Sequence, residues 1–153
     1  MKDNKKIVDT GIYMPVLQEL IQEGKEVSIT ITGNSMSPFL VHERDQIMIS
    51  PPNDPWKKGD MAFYKRWNGC YVMHRICKVD KHGQCFFIGD GQQGIEGPIA
   101  PEQIFGKITS VRRKGKWIGP KDFVWFFFER IWIRIIPLRP ACRRLYAVLW
   151  NLR

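Results

Sequence analysis

From Val27 to Arg112 the chain is a series of short apolar runs cut by Gly-, Pro- and Asn-bearing turns, with no βαβ alternation and no internal repeat. Val27-Ser28-Ile29-Thr30-Ile31-Thr32 alternates at period 2, the mark of a half-buried strand. Gln46-Ile47-Met48-Ile49-Ser50 reads as a second strand, ended by Pro51-Pro52-Asn53-Asp54-Pro55. Further strands are expected over residues 61–66, 70–79, 84–88 and 106–112. Trp67-Asn68-Gly69 and Lys81-His82-Gly83 have the length and composition of hairpin turns, so the strands that they join run antiparallel. Ahead of this block Ile12, Val16, Leu17, Leu20 and Ile21 recur at helical spacing as far as Gly24, a suitable C-cap. The expected architecture is mainly β: an antiparallel domain over 27–120, preceded by a helical segment, 1–26, and followed by a helical tail, 121–153. A length of 153 residues is enough for one such core.

Charge divides the chain at nearly the same place. Residues 107–153 hold 12 Lys and Arg against Asp122 and Glu129, a net +10, whereas residues 1–106 sum to −1. Such a tail calls for a polyanionic partner, either nucleic acid or anionic lipid. Residues 123–136 read Phe-Val-Trp-Phe-Phe-Phe-Glu-Arg-Ile-Trp-Ile-Arg-Ile-Ile before Pro137. At about 100° per residue, Val124, Trp125, Phe127, Phe128, Ile131, Trp132, Ile135 and Ile136 cover one arc. Arg130 and Arg134 lie opposite, and Phe126 and Ile133 fall among the charges. A second basic and aromatic stretch runs from Cys142 to Trp150. Long aliphatic runs do not suit a phosphate-contacting helix, so nucleic acid is set aside.

The expected partner is an anionic membrane surface, with Trp125, Phe128 and Trp132 inserted and a β domain that stays folded without the tail. Three charges inside 14 residues argue against a true span. A tail packed on the domain, or used in an oligomer contact, is the competing reading, and the oligomeric state is left open. The basic start, Met1 to Lys6, leads into no apolar run, so no secretory signal is expected. Peripheral attachment on the cytoplasmic side of a membrane follows from these two readings together. Cys70, Cys77, Cys85 and Cys142 show no CxxC spacing and no neighbouring His at ligand spacing. Free thiols are expected, with no metal and no cofactor, and a Cys70 to Cys85 bridge is the alternative.

Thr32-Gly33-Asn34-Ser35-Met36-Ser37-Pro38-Phe39-Leu40 is odd as a plain turn. Gly and Pro fix a tight corner, and a corner can expose the Ser35 hydroxyl beside the N–H groups of Ser35 and Met36. A serine nucleophile needs both, an accessible Oγ and donors for the developing oxyanion. A turn or capping serine is the bland reading. Ser-Met-x-Pro, preceded by Gly and followed by an apolar pair, resembles the nucleophile box of the signal peptidase I family and of the related LexA-type repressors. Further landmarks follow in that family's order. They are Lys58-Gly59-Asp60-Met61-Ala62-Phe63-Tyr64, Tyr71-Val72-Met73-His74-Arg75-Ile76, Phe86-Phe87-Ile88-Gly89-Asp90-Gly91 and Ile104-Phe105-Gly106-Lys107-Ile108. The resemblance covers residues 27 to 112 and implies a LexA/signal-peptidase-like β fold.

Its implied activity is that of a serine endopeptidase acting on a peptide or protein substrate near the membrane. Bacterial signal peptidases place a Lys before the Arg of the third block, and the endoplasmic-reticulum and archaeal branch places a His there. His74-Arg75 is similar to the second, so His74 is the implied general base for Ser35. An imidazole with a pKa near 6.5 does this at neutral pH without heavy desolvation. On alternation alone His74 shares a face with Val72 and Ile76, which favours a core histidine. His42 and His82 lie in polar loops, and Lys65-Arg66, a rival base pair, lies one strand too early.

Asp90 is the first choice for the acid that orients His74, or for a structural acid, and Glu96 is the second. The Asn pair usual after the Gly-Asp of that branch is absent. A regulatory member of the same fold, binding an extended peptide as an added strand without cleaving it, is the alternative function. A self-cleaving repressor would need a DNA-binding domain, for which the 26 residues before the first strand are too few.

Overall fold

The computed structural model describes residues 10–152, so the basic Met1 to Lys6 stretch and Arg153 lie outside the described residues. Helix α1 (Thr10–Gln22) precedes β1 (Val27–Thr30), β2 (Gln46–Ser50), β3 (Met61–Lys65), β4 (Tyr71–Val79), β5 (Cys85–Ile88), β6 (Glu96–Ile99), β7 (Ile104–Arg113) and β8 (Lys116–Ile118). These strands form one sheet in the order β1-β2-β7-β3-β4-β5-β6, with β8 on β7, and every pairing is antiparallel. The mainly β, antiparallel class expected from the turn pattern is what the chain adopts.

The local signals act as expected at most positions. Gly24 ends α1 at φ +88°, where its N–H donates to the Ile21 carbonyl and that of Lys25 to the Leu20 carbonyl. Both predicted hairpins form. Gly69 closes the first on the Arg66 carbonyl, and Asp80 caps the second by accepting from the N–H groups of His82 and Gln84. Two strands escaped the pattern. β6 contains Gly97-Pro98, ordinarily breakers, and survives because it is an edge strand. β8 has only three residues. The four cysteines are free thiols, so the alternative Cys70 to Cys85 bridge is not formed.

The sheet buries apolar residues on both faces, and β3 shows this residue by residue. Met61 and Phe63 join a core with Met14, Leu17 and Ile21 of α1, Ile47 and Ile49 of β2, and Met36, Phe39 and Leu40 of the loop after β1. Ala62 and Tyr64 point the other way, into a smaller cluster with Ile76, Phe87, Ile99 and Ile104. In α1 the inward face is Met14, Leu17 and Ile21, and Val16, counted inward from its spacing, is exposed.

The C-terminal segment departs most from its expected form. Instead of a continuous helix over 123–136, α2 (Phe123–Phe126) passes into a π turn over Phe127–Ile131 and a 3-10 turn over Trp132–Arg134. After a second 3-10 turn over Ile136–Leu138 comes α3 (Arg139–Asn151). The changes of pitch rotate side chains off a 100° wheel, so Ile133, counted among the charges, is buried and Ile131, counted on the apolar arc, is exposed. Trp125, Phe128 and Trp132 lie in the larger core, where Phe128 packs on Phe39 with ring centroids 4.8 Å apart and planes tilted by 38°. Buried there, they are not available for the expected insertion into a membrane, and the tail packs on the β domain that was expected to stand without it.

Removing a buried aromatic costs about 3–5 kcal/mol, and small domains have about 5–15 kcal/mol in all. Deleting residues 123–153 should thus leave a chain without a cooperative unfolding transition. Deleting 141–153, which takes away mainly exposed side chains, should keep the transition within a few degrees of the intact protein. Thermal unfolding followed by circular dichroism separates the two outcomes.

Candidate active site

Met36, Phe39 and Leu40 are buried under the corner that follows β1, which leaves Ser35 half-exposed above them. The corner is held at several points. The Gly33 N–H donates to His42 Nδ1 at 2.8 Å, and the Ser37 N–H donates to the Asn34 carbonyl at 3.1 Å. The Gly91 N–H donates to the Ser35 carbonyl at 2.8 Å. The Ser35 hydroxyl has no hydrogen-bond partner among the described residues. The N–H groups of Ser35 and Met36 donate to no acceptor there either. A free hydroxyl beside two free N–H groups is the arrangement that acyl transfer at a serine requires.

His74 lies in mid-strand on β4, buried, opposite Ala62. Its Nδ1 is 3.5 Å from the hydroxyl of Tyr64, the diagonal neighbour on the same face of β3. Tyr64 donates its single proton to Glu96 Oε2 at 2.8 Å. Arg66 donates from Nε and Nη2 to the same carboxylate at 2.6 and 2.8 Å. That Arg66 contact holds Glu96 below the usual carboxylate range, so Glu96 accepts and does not donate. With the hydroxyl proton committed, Tyr64 presents lone pairs to the imidazole. The proton of neutral His74 therefore belongs on Nδ1, and Nε2 keeps a free lone pair. Burial holds the His74 pKa below its ordinary value, Glu96 pulls it back, Arg66 lowers it and Asp90 raises it. At neutral pH the ring is uncharged, the form a general base needs.

Asp90 serves elsewhere. Both its oxygens accept from Arg75, Oδ1 from Nε at 2.9 Å and Oδ2 from Nη2 at 2.8 Å, with both side chains out of solvent. Arg75 also donates to the Gly59 carbonyl at 2.9 Å and lies 5.2 Å over the Phe39 ring. Of the two acids proposed, Asp90 is thus a structural anchor, and Glu96 reaches His74 through Tyr64. The Lys65 ammonium lies over the Tyr71 ring, on the face of β3 opposite Tyr64 and His74. His82 is exposed at a hairpin tip. No hydrogen bond joins Ser35 to His74. They are related through the Gly89-Asp90-Gly91 turn, which binds the Ser35 carbonyl on one side and Arg75, the neighbour of His74, on the other.

Sequence reasoning named Tyr64 only within a motif block and Arg66 only in a rival base pair, and missed their part in holding Glu96. It also missed His42, whose part in holding the corner depends on a contact nine residues away. Among the described residues no three His, Cys, Asp or Glu side chains gather as a metal site would need. No protein-family model matches the chain, and no curated protein matches it.

Glu96→Gln removes the charge that offsets the burial of His74 and frees Arg66 to oppose protonation. The His74 pKa should therefore fall further, as read by NMR titration of its Hε1 signal. An unchanged or raised pKa would contradict the assigned network. A depressed native pKa also means that the unfolded chain binds this proton first. Stability from His74 should accordingly decline as pH drops below about 6.5.

Proposed function

We propose that this chain is a serine endopeptidase of the signal-peptidase-like, LexA-related fold, with Ser35 as nucleophile and His74 as general base. The observation that carries the reading is the Ser35 corner: a hydroxyl and two neighbouring N–H groups without partners among the described residues, seated on the Gly89-Asp90-Gly91 turn. A neutral, buried His74 with Nδ1 3.5 Å from the Tyr64 hydroxyl supports it.

In this reading Ser35 Oγ attacks the scissile carbonyl of an extended peptide while His74 Nε2 accepts the hydroxyl proton. The oxyanion takes hydrogen bonds from the N–H groups of Ser35 and Met36. His74 then returns the proton to the leaving amine. Water, deprotonated by the same Nε2, hydrolyses the acyl-enzyme and restores Ser35. Bound substrate must bring Oγ and Nε2 into hydrogen-bond range, as catalytic contacts often tighten only in the complex. The absence of a Ser35 to His74 hydrogen bond is what favours the second reading, a member of the fold that binds an extended peptide without cleaving it.

The partner at the tail is assigned to α3. No helix among the described residues is long and apolar enough to cross a membrane. Beyond Arg143 and Arg144, however, Leu145, Tyr146, Val148, Leu149, Trp150 and Leu152 are all exposed, and no acid occurs after Glu129. These residues share one broad face of α3, with Arg143, Arg144 and Asn151 on the other, and an uncovered amphipathic helix with arginines on its polar side fits an interface of anionic headgroups. We therefore propose that α3 docks the protein peripherally on an anionic membrane, on the cytoplasmic side, and brings the peptidase to substrates near that surface.

Ser35→Ala should abolish cleavage with folding retained, since a corner hydroxyl contributes about 1 kcal/mol or less. Activity should rise with pH along a limb below the ordinary His value, because His74 must lose its proton to act. A limb above about pH 8.5 would point to a lysine. If wild-type chain and Ser35→Ala bind peptide equally and neither cleaves it, the second reading holds. Co-sedimentation with phosphatidylserine vesicles should be lost when residues 141–153 are deleted and should weaken with salt. Equal sedimentation of both chains would remove the membrane assignment.

A further inference from the structure

Every carbonyl of the four-residue turn 89–92 accepts a hydrogen bond from the C-terminal segment. Arg139 Nη1 donates to the Gly89 and Gln92 carbonyls, each at 3.0 Å. Trp132 Nε1 donates to the Asp90 carbonyl at 2.8 Å, and Arg143 Nη1 donates to the Gly91 carbonyl at 3.2 Å. Arg139 is only 2% exposed, the most deeply buried cation of the segment. Its Nε and Nη2 donate to the Trp132 carbonyl, and its guanidinium lies 5.3 Å over the Trp132 ring. Arg139 and Trp132 thus form one unit that meets the turn from one side.

The opposite side of the same turn meets the Ser35 corner. The Gly91 N–H donates to the Ser35 carbonyl. A Cβ on Gly89 would collide with that carbonyl oxygen, and one on Gly91 would come within 2.7 Å of the Ser37 oxygen. The turn is therefore a glycine plate pressed between the corner and the C-terminal segment. Glycines hold such a shape only when their surroundings impose it, and buried carbonyls without donors are costly.

We infer that Trp132 and Arg139 are positioning residues, which hold the Ser35 corner in its reactive geometry through the 89–92 turn. This rests on the proposed reading of Ser35 as nucleophile. Neither side chain meets substrate. Trp132→Phe keeps an aromatic ring in the core, though a smaller one, and removes the N–H on Asp90. Arg139→Lys keeps the charge and cannot span three carbonyls.

The test uses the full chain with two readouts. One is hydrogen exchange of the Gly91 amide, which reports the bond to Ser35 whether or not the protein is an enzyme. The other is labelling of Ser35 by a fluorophosphonate probe, resolved into the maximal inactivation rate and the probe affinity. In Trp132→Phe the Gly91 amide should exchange at least about tenfold faster, while amides of the β2–β7 ladder keep their protection. The maximal labelling rate should fall about tenfold at unchanged probe affinity, since a misplaced nucleophile loses rate rather than binding. Arg139→Lys should act in the same direction, and if it does not fold, Trp132→Phe alone decides. Unchanged Gly91 exchange, or faster exchange with labelling at the wild-type rate, overturns the inference. If Ser35→Ala is labelled as fast as wild type, the nucleophile assignment falls instead, and Gly91 exchange still reports on the clamp.

Discussion

The buried pair of Arg75 and Asp90 is the contact on which the remaining geometry depends. Arg75 is 1% exposed and Asp90 0%, and they meet through two parallel hydrogen bonds. Removing two charges from water is expensive, so such a pair does not by itself make a fold stable. Removing one partner, however, leaves an uncompensated buried charge at about 3–5 kcal/mol. Its effect here is positional. Through Arg75 the strand β4 is joined to the Gly59 turn and to the ring of Phe39, and through Asp90 to the 89–92 turn. The Ser35 corner, the strand that carries His74 and the C-terminal segment all meet at those points.

Strand alternation then divides the labour between neighbours. His74 and Arg75 are adjacent, and the pleat sends them to opposite faces of the sheet. Arg75 meets the larger core and its anchor Asp90, whereas His74 meets Tyr64 and, beyond it, Glu96 and Arg66. A carboxylate that serves one of them is poorly placed for the other. This is why the acid nearest in the Gly-Asp motif is consumed by structure and the more distant Glu96, on the edge strand β6, faces the histidine.

The C-terminal segment has two halves with different physics. Residues 123–139 feed the core: Trp125, Phe128 and Trp132 pack beneath the Ser35 corner, and Glu129 lies so close to Gly59 that a Cβ there would meet its Cγ at 2.7 Å. Among the described residues from Ala141 onward only Cys142 is partly buried, and α3 projects with its apolar residues uncovered. Arg139, at the boundary, belongs to the first half, buried against Trp132 and the 89–92 turn. Net charge and apolar content are alike in the two halves, so composition could not separate them.

Local information was enough for much of the molecule. Period-2 runs, the two three-residue hairpin turns and Gly24 depend on neighbours within a few positions, and the strands, the hairpins and the helix end follow from them. The corner around Ser35 was legible for the same reason, since Gly33 and Pro38 constrain the backbone directly. Whatever depends on partners far apart in the chain was decided only by the tertiary structure. Glu96 is 32 residues from Tyr64, and Arg139 is 50 from Gly89. β6, with its glycine and proline, is a strand only because β5 lies beside it. The pitch of residues 123–138 likewise follows from the surface on which they pack. Sequence fixes periodicity and turn chemistry through short-range sterics, whereas the pairing of buried charges and carbonyls is set by which surfaces the folded sheet brings into contact.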